Sequence, residues 1–226
     1  VVLPQLSKHV FLKKKNKILL LQNKALELSM FLSLPASVSL IVGSEQIISA
    51  LFGYGSFDKV SVSNSANALY YFGLGLPAFA LIKVFSTFFF ANQDTKTPFY
   101  ISLFSVILNI LISVYFFREI GFIIIPIATT ISSWFNAIIL FIYLKNKDLF
   151  NFNELFFAKL IKILLASILM GIFFNYLILF FENKLIYEYN FKSFYLILSA
   201  FLSLIFYLSF SLFIKAFKYG DIKLKY

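Results

Sequence analysis

Residues 66–98 read ANALYYFGLGLPAFALIKVFSTFFFANQDTKTP, an apolar run that ends in a short polar turn. The apolar part, Ala66–Ala91, carries a single charge, Lys83. A helix needs roughly 20 residues to cross a hydrocarbon core about 30 Å thick. This run is long enough, and a polar turn after it is typical of a connection at the membrane surface. The stretch therefore predicts a transmembrane helix and, with it, the class of the fold.

Six stretches of this kind account for most of the 226 residues. They are Ala25–Val42, Ala66–Ala91, Phe99–Phe117, Phe122–Leu144, Leu160–Phe181 and Phe194–Phe217. The composition agrees, because the chain is 61% hydrophobic and 13% charged, with a mean hydropathy of +0.88. A soluble domain is typically about 45–50% apolar and about 25% charged. We therefore predict an all-α fold, a polytopic membrane helix bundle with about six transmembrane helices.

The positive charges are sorted between alternate connections of this bundle. Sixteen of the 20 Lys and Arg residues lie on one side, whereas the 10 acids divide evenly. The four bases on the other side are Lys59, Arg118, Lys184 and Lys192. Cytoplasmic loops retain Lys and Arg, and acids contribute little to this rule. Both ends of the chain are therefore expected in the cytoplasm. The charge of +10 is not gathered into one stripe, so we expect no nucleic-acid partner.

Residue types that carry chemistry are scarce in this sequence. It has no cysteine and one histidine, His9, which lies in a lysine-rich stretch. No glycine-rich phosphate loop precedes a helix, and no His/Glu spacing is typical of a metal site. A Ser/His/Asp site would have to recruit His9 from that polar stretch. We therefore predict no catalytic residue, no metal and no cofactor, and a protein that is not an enzyme.

The connection 44–65, between the first two spans, is too long for a tight turn. Its apolar residues Ile47, Ile48, Leu51 and Phe52 fall on one helical face. Gly53 then interrupts the pattern. Two interpretations fit this connection: an interfacial half-helix, or a loop without regular structure.

Charged and helix-breaking residues inside the spans are the candidate functional residues. Lys83 lies about 12 Å from the end of its span, at 1.5 Å per residue. A lysine at mid-membrane costs about 2.5–3.5 kcal/mol. Two interpretations fit Lys83. Either its long side chain extends to the membrane surface (snorkelling) or pairs with another residue of the fold, or its ammonium faces a cavity and binds substrate or forms part of a gate. Pro35, Pro77 and Pro126 interrupt three spans and predict helix kinks, which serve packing or movement.

Two amides also lie inside spans. Asn109 falls in the third span and Asn136 in the fourth. Polar side chains in such positions form hydrogen bonds between helices that are worth about 0.6 kcal/mol on average. We therefore predict that Asn109 and Asn136 join neighbouring helices.

Five short motifs follow one another along residues 1–145. They are Val2–Ser7 (VLPQLS), Gln22–Glu27 (QNKALE), Leu51–Phe57 (LFGYGSF), Gly75–Phe79 (GLPAF) and Gln93–Pro98 (QDTKTP). In this order the motifs resemble those of the murein precursor (lipid II) flippase family, MurJ or MviN. The last two spans match that family in length and hydrophobicity only.

The resemblance implies an architecture. The family has the fourteen-helix fold of the multidrug/oligosaccharidyl-lipid/polysaccharide exporter superfamily, and this chain resembles its C-terminal portion. Residues 1–145 then form the end of one helix plus four helices of the C-terminal lobe, and residues 146–226 form two extra C-terminal transmembrane helices. The sequence begins at Val1 without a methionine, and we expect a fragment. Its partner is then the N-terminal half of the same chain, in the bacterial inner membrane.

The resemblance also implies a function. The family carries lipid II, an undecaprenyl-linked disaccharide-pentapeptide, across the membrane by alternating access, in contact with membrane lipids. From its depth within a kinked span, Lys83 is expected to contribute to the charge of a cavity or to a gate. Charges at helix ends are usually structural, so Asp94 and Lys96 are expected to cap and orient the helices around their turn, with a substrate role as the alternative. Two other functions stay open: an exporter of polysaccharide lipids or drugs in the same superfamily, and a membrane scaffold that transports nothing.

Overall fold

The computed structural model of the protein describes residues 2–12 and 14–216, and these residues form helices and connections without a β-strand. The α-helices of this part are α1 Val2–Phe11, α2 Lys15–Val42, α3 Ser44–Phe52, α4 Lys59–Ala91, α5 Lys96–Ile120, α6 Ile124–Asn146, α7 Phe156–Phe180, α8 Glu182–Leu185 and α9 Lys192–Phe213. A 3-10 turn, Gly121–Ile123, joins α5 to α6.

All six predicted spans coincide with helices. The segments long and apolar enough to cross a membrane are Lys15–Val42, Lys59–Ala91, Lys96–Asn146, Phe156–Phe180 and Lys192–Phe213. The third of these holds both α5 and α6. The prediction of an all-α polytopic membrane bundle is therefore confirmed. The last span was predicted to reach Phe217, which lies outside the described residues, and α9 ends at Phe213.

The first membrane helix begins earlier than predicted. Helix α2 starts at Lys15, whereas the predicted span starts at Ala25. Segment 15–24 also holds the apolar run Ile18–Leu21, and its lysine, leucine and glutamine residues are good helix formers, so the helix extends back through it.

The connection 44–65 contains α3, which agrees with the half-helix interpretation. The backbone N–H of Gly53, just after its last turn, bonds to the carbonyl of Ser49 at 3.0 Å. Ile48 is buried, but Leu51 and Phe52 remain more than half exposed. The apolar face predicted for this helix is therefore only partly covered by the chain itself.

Two of the three prolines lie deep inside membrane helices. Pro35 lies in α2 and Pro77 in α4. Pro77 has no N–H to donate to the carbonyl of Gly73, one turn earlier in α4. The hydroxyl of Ser37 donates to that carbonyl at 2.7 Å, so the carbonyl keeps a partner in a helix that crosses hydrocarbon.

Pro126 has a different place, since it lies in the first turn of α6, where a proline removes no intrahelical hydrogen bond. The kinks predicted at Pro35 and Pro77 therefore have a physical cause within their helices that the one predicted at Pro126 lacks. A bend at any of the three prolines stays a prediction.

Contacts divide the described part of the chain into two compact units, residues 2–33 with 75–160 and residues 34–74 with 161–216. The first unit is built around an aromatic cluster in which the rings of Phe88 and Phe150 stack with centroids 5.7 Å apart. Such pairs contribute about 0.5–1.5 kcal/mol beyond the area they bury. The predicted division at residue 145 concerns lobes of a longer protein, and it stays a prediction.

Within the second unit, small residues let helices approach closely. A methyl group at Gly171 in α7 would overlap the side chain of Val38 in α2. A methyl at Gly43, just after α2, would meet the ring of Phe174 in the same way. Membrane helices associate through such close packing, because lipid supplies no hydrophobic driving force between them.

A buried lysine ties two connections of the second unit together. Lys192 begins α9 and is fully buried, and its ammonium donates to the carbonyls of Gly53 and Tyr187, each at 2.6 Å. The same ammonium lies 4.4 Å from the ring centroids of Tyr54 and Tyr187. Carbonyl dipoles and aromatic faces thus replace the water that the charge has lost.

We expect Lys192→Met to destabilise the protein, because the carbonyls of Gly53 and Tyr187 lose their donor while the unbranched side chain keeps most of its length. Hydrogen bonds to charged groups contribute about 1.5–3 kcal/mol each, so the loss of two should be at least about 3 kcal/mol. The measurement is thermal unfolding of the purified protein in detergent. Lys184→Met is the matched control, since Lys184 is exposed and its ammonium lies over the ring of Tyr189 at 4.9 Å. Equal unfolding temperatures for the two variants would contradict the role of Lys192.

Candidate functional site

Lys83 lies on α4 at the edge of a pocket of about 340 Å³. The pocket belongs to the first unit, and its remaining walls come from α1, α2 and α4. The lining residues are Leu3, Ala25, Leu28, Ser29, Leu32, Lys83, Val84, Thr87 and Phe88. Most of them are apolar, so the lysine supplies the only charge among the residues that line this pocket.

The charge of Lys83 has no counter-ion in the part of the chain that the structure describes. Its side chain is exposed, and the ion pairs found among the described residues involve other lysines. Thr87 bonds to the backbone carbonyl of Lys83 at 2.8 Å, which leaves the ammonium untouched. Structural pairing of Lys83 with an acid thus finds no support in these residues, whereas snorkelling to the membrane surface and a cavity-facing role both stay open.

Asp94 organises the turn between α4 and α5. Its carboxylate accepts the backbone N–H of Thr97 at 3.0 Å and the hydroxyl of Thr97 at 2.7 Å. The ammonium of Lys147, just after α6, donates to the same carboxylate at 2.7 Å. One carboxylate therefore caps the first turn of α5 and joins it to the end of α6.

The electrostatics of this turn follow from those contacts. Partial burial raises the pKa of Asp94, but the hydrogen bonds from Lys147 and Thr97 outweigh it and lower the pKa from 3.8 to about 2. Asp94 is therefore ionised at neutral pH and already neutralised by a partner. This arrangement is typical of a carboxylate that stabilises a fold.

Lys96 lies two residues after Asp94 but forms no hydrogen bond or ion pair with it. It is the first residue of α5, it is exposed, and its side chain borders a groove between α5 and α6. The three predicted site residues therefore do not line one pocket. Lys83 borders one pocket, Lys96 borders another, and Asp94 lines neither.

The motif at residues 22–27 holds a distant loop in place. Gln22 and Asn23, both buried in α2, donate to the carbonyls of Leu149 and Asn151 at 2.9 Å each. The side-chain oxygen of Asn23, Oδ1, accepts a hydrogen bond from the backbone N–H of Asn153 at 2.9 Å. The sequence alone assigned no role to the side chains of Gln22 and Asn23. Two adjacent amides before an apolar run are nevertheless a signal for hydrogen bonds between membrane segments.

Glu27 continues this attachment one turn further along α2. Its carboxylate accepts a hydrogen bond from Lys159 in α7 at 2.7 Å, and the Glu27 side chain is only 13% exposed. The two residues are more than a hundred positions apart in the chain, so this ion pair cannot be predicted from either residue in the sequence.

A polar surface runs along the α5–α6 hairpin within its membrane segment. Asn109 donates to the hydroxyl of Thr129 at 3.0 Å, and Asn136 donates to that of Ser102 at 3.4 Å. The predicted role of both amides in joining helices is therefore confirmed. The groups around them form a pocket of about 270 Å³ lined by Ser102, Ser105, Val106, Asn109, Thr129, Ser132, Ser133 and Asn136. Among the described residues, the buried carbonyl oxygen of Asn136 finds no donor.

Known proteins resemble this chain along most of its length. The model of the family described as "Lipid II flippase MurJ" matches residues 1–198. A probable lipid II flippase MurJ of Rickettsia prowazekii (strain Madrid E) is 36% identical over 178 residues, which cover 76% of this chain and 34% of that protein. The corresponding protein of Rhizobium meliloti (strain 1021) is 38% identical over 141 residues, 62% of this chain and 26% of the relative.

A solved structure shows the same fold. "Lipid II flippase MurJ, inward closed conformation" superimposes with a TM-score of 0.74 at 24% sequence identity, over 95% of this chain and 43% of that one. The chain spans about a third of the length of the curated relatives it matches. Because the family model matches most of its residues, this multi-pass membrane chain belongs to the lipid II flippase MurJ family.

Proposed function

We propose that this chain forms part of a transporter that carries lipid II across the bacterial inner membrane by alternating access. Membership of the family supports the cargo, and the uncompensated charge of Lys83 supports the transport. A charge within a membrane span that faces a pocket is a functional residue by default. The same charge favours an exporter over a membrane scaffold, and the family favours lipid II over a polysaccharide lipid or a drug.

The proposed mechanism follows from the cost of moving charge through hydrocarbon. A pyrophosphate and sugar headgroup cannot cross lipid unless other groups replace its water. Lys83 offers a positive charge about 12 Å from the end of α4, at 1.5 Å per residue. The ammonium attracts the headgroup or closes a gate beside it, while the lipid tail stays in the bilayer. Alternate opening of the cavity to each side then completes the transfer.

The polar surface of the α5–α6 hairpin supports a second part of the proposal, a partner for this chain. An 18-residue window of the membrane segment that contains this hairpin has 11% of its residues buried, against 28–44% in the windows of the other candidate segments. The unpartnered oxygen of Asn136 needs a donor from elsewhere. Further helices, contributed by the N-terminal part of a longer chain, would cover these groups.

We expect Lys83→Ala in the full-length protein to abolish growth of a strain depleted of its own flippase, because the pocket loses its charge. Lys83→Arg should restore most of the growth, since it keeps that charge. Lys162→Ala is the control, because Lys162 also lies in a membrane helix but borders neither the pocket of Lys83 nor the groove of Lys96. Expression of each variant is measured by immunoblot of the membrane fraction. Full growth with Lys83→Ala at normal expression would remove Lys83 from the mechanism.

Asp94 is proposed to be structural, and Asp94→Asn should lower the stability by about 2 kcal/mol at pH 7, which corresponds to a fall in pKa from 3.8 to about 2. Because the folded-state pKa is the lower one, this stability is present above about pH 4 and is lost as the pH falls toward 2. The difference in unfolding temperature between wild type and variant should therefore shrink between pH 5 and pH 3. Asp148→Asn, at an exposed position with a φ of 52° that asparagine also tolerates, should have no such effect. A variant of Asp94 with normal stability and slow transport would instead indicate contact with the cargo.

Both ends of the chain are proposed to be cytoplasmic, and single cysteines can test this because the chain has none of its own. In a cysteine-free version of the full-length protein, cysteines at Asp58, Glu119 and Ile186 should react with an impermeant maleimide from the periplasm. Cysteines at Thr95 and Asn146 should react only after the membrane is permeabilised. Protection of any of the first three residues in intact cells would overturn both the topology and the transport mechanism.

A further inference from the structure

The α5–α6 hairpin carries a second groove, separate from the pocket of Lys83 and from the polar surface around Asn136. Its volume is about 480 Å³, within the usual range of ligand pockets. It is lined by Lys96, Thr97, Tyr100, Ile101, Phe104, Phe135, Ile139 and Tyr143. Its polar residues, a lysine, a threonine and two tyrosines, lie toward one end, and its two phenylalanines and two isoleucines lie toward the other.

The two ends are ordered along the helices. Lys96, Tyr100 and Phe104 follow one another at intervals of four residues, so they lie on the same side of α5. At 1.5 Å per residue, Phe104 lies about 12 Å further along the helix than Lys96. Helix α6 returns antiparallel and repeats the gradient from Tyr143 to Phe135. The α5 wall therefore changes from charged and hydroxylated to apolar, and the α6 wall from hydroxylated to apolar, over about 12 Å.

The charge at the polar end is available for a ligand. The nearby carboxylate of Asp94 is occupied by Lys147 and Thr97, and no acid lines the groove. Among the described residues, neither the ammonium of Lys96 nor the hydroxyl of Tyr143 forms a hydrogen bond or an ion pair. One uncompensated cation beside two phenol hydroxyls complements the oxygens of a phosphate group, for which lysine acts as a point charge.

The apolar end opens toward lipid. Phe104 is 63% exposed, and α5 buries only Pro98, Ile101 and Ser105. On α5 the neighbouring positions Leu103, Ile107 and Leu111 are exposed and apolar as well, so the groove continues into an apolar surface. This surface lies on the opposite side of α5 from Ser105 and Asn109, which face the polar pocket. An acyl chain can therefore enter the groove directly from the bilayer.

We propose that this groove binds one anionic phospholipid of the surrounding membrane, with its phosphate at Lys96, Tyr100 and Tyr143 and an acyl chain along Phe104 and Phe135. The polarity of the groove matches that of a lipid lying along its helices, and its charge is opposite to that of the headgroup. A zwitterionic lipid brings its own ammonium next to Lys96 and is bound more weakly. The inference does not rest on the proposed function, since it requires only that α5 and α6 cross a membrane and that this side of the hairpin faces lipid in the full-length protein.

The test is native mass spectrometry of the purified full-length protein in detergent, titrated with phosphatidylglycerol or with phosphatidylcholine. We expect a first phosphatidylglycerol to bind before phosphatidylcholine. Lys96→Gln should weaken that first binding about fivefold, the contribution of one lysine near a membrane surface, and should leave phosphatidylcholine unchanged. Tyr143→Phe should weaken it less. Both substitutions remove groups without internal partners, so the unfolding temperature should not change.

Lys145→Gln is the matched control, because Lys145 is exposed at the end of the same hairpin and does not line the groove. Equal losses with Lys96→Gln and Lys145→Gln would show general attraction to charge and overturn the site. Equal binding of the two phospholipids to the wild type would overturn it as well. Displacement of bound phosphatidylglycerol by one equivalent of added lipid II would assign the groove to the transported lipid instead. Loss of transport in Lys83→Ala has no bearing on any of these outcomes.

Discussion

Hydrocarbon offers no hydrogen bond to a peptide group, and the rest of this structure depends on that constraint. The membrane segments are helical because a helix forms hydrogen bonds between its own backbone groups. Where Pro77 removes a donor from α4, the hydroxyl of Ser37 supplies one to the carbonyl of Gly73. Where the chain leaves its helices, the amides of Asn23 and the ammonium of Lys192 bond to backbone groups of the connections. Buried polar side chains of this protein therefore serve mainly to complete the backbone.

The same constraint separates lysines that hold the fold from lysines that can bind something else. Lys192 is enclosed by carbonyls and tyrosine rings, and Lys147 is matched by Asp94. Lys83 and Lys96 each border a pocket, and no carboxylate lies opposite either of them among the lining residues. A charge without a partner at the edge of hydrocarbon attracts an anionic headgroup. The proposed transport of lipid II and the proposed phospholipid site thus rest on the same physical argument, applied to two different surfaces.

The membrane spans could be predicted because hydrophobicity over about 20 residues is a local property. The half-helix α3 was one of two open interpretations, and its helical periodicity was the correct signal. Lys83 was found because a charge inside an apolar run is conspicuous without any partner. The attachment of Asn23 to residues 151 and 153 could not be found in this way, since it depends on a loop more than a hundred residues distant. For Lys192 the sequence indicated a charge at the end of a span, whereas the structure encloses that charge completely.

The amino-acid sequence by itself determined the class of the fold and the order of the spans, and it predicts the side of the bilayer for each connection. These properties depend on the composition of about 20 consecutive residues and on the charges at the two ends of that stretch, so they are local in the sequence. Only the tertiary structure decided which polar residues form hydrogen bonds or ion pairs within the protein and which remain available to bind a ligand. That distinction depends on distances between atoms far apart in the chain, such as those from Lys147 to Asp94 and from Lys192 to Gly53. The sequence shows the same residue type, lysine, in both cases. Only its surroundings decide whether the ammonium stabilises the fold or can bind a ligand.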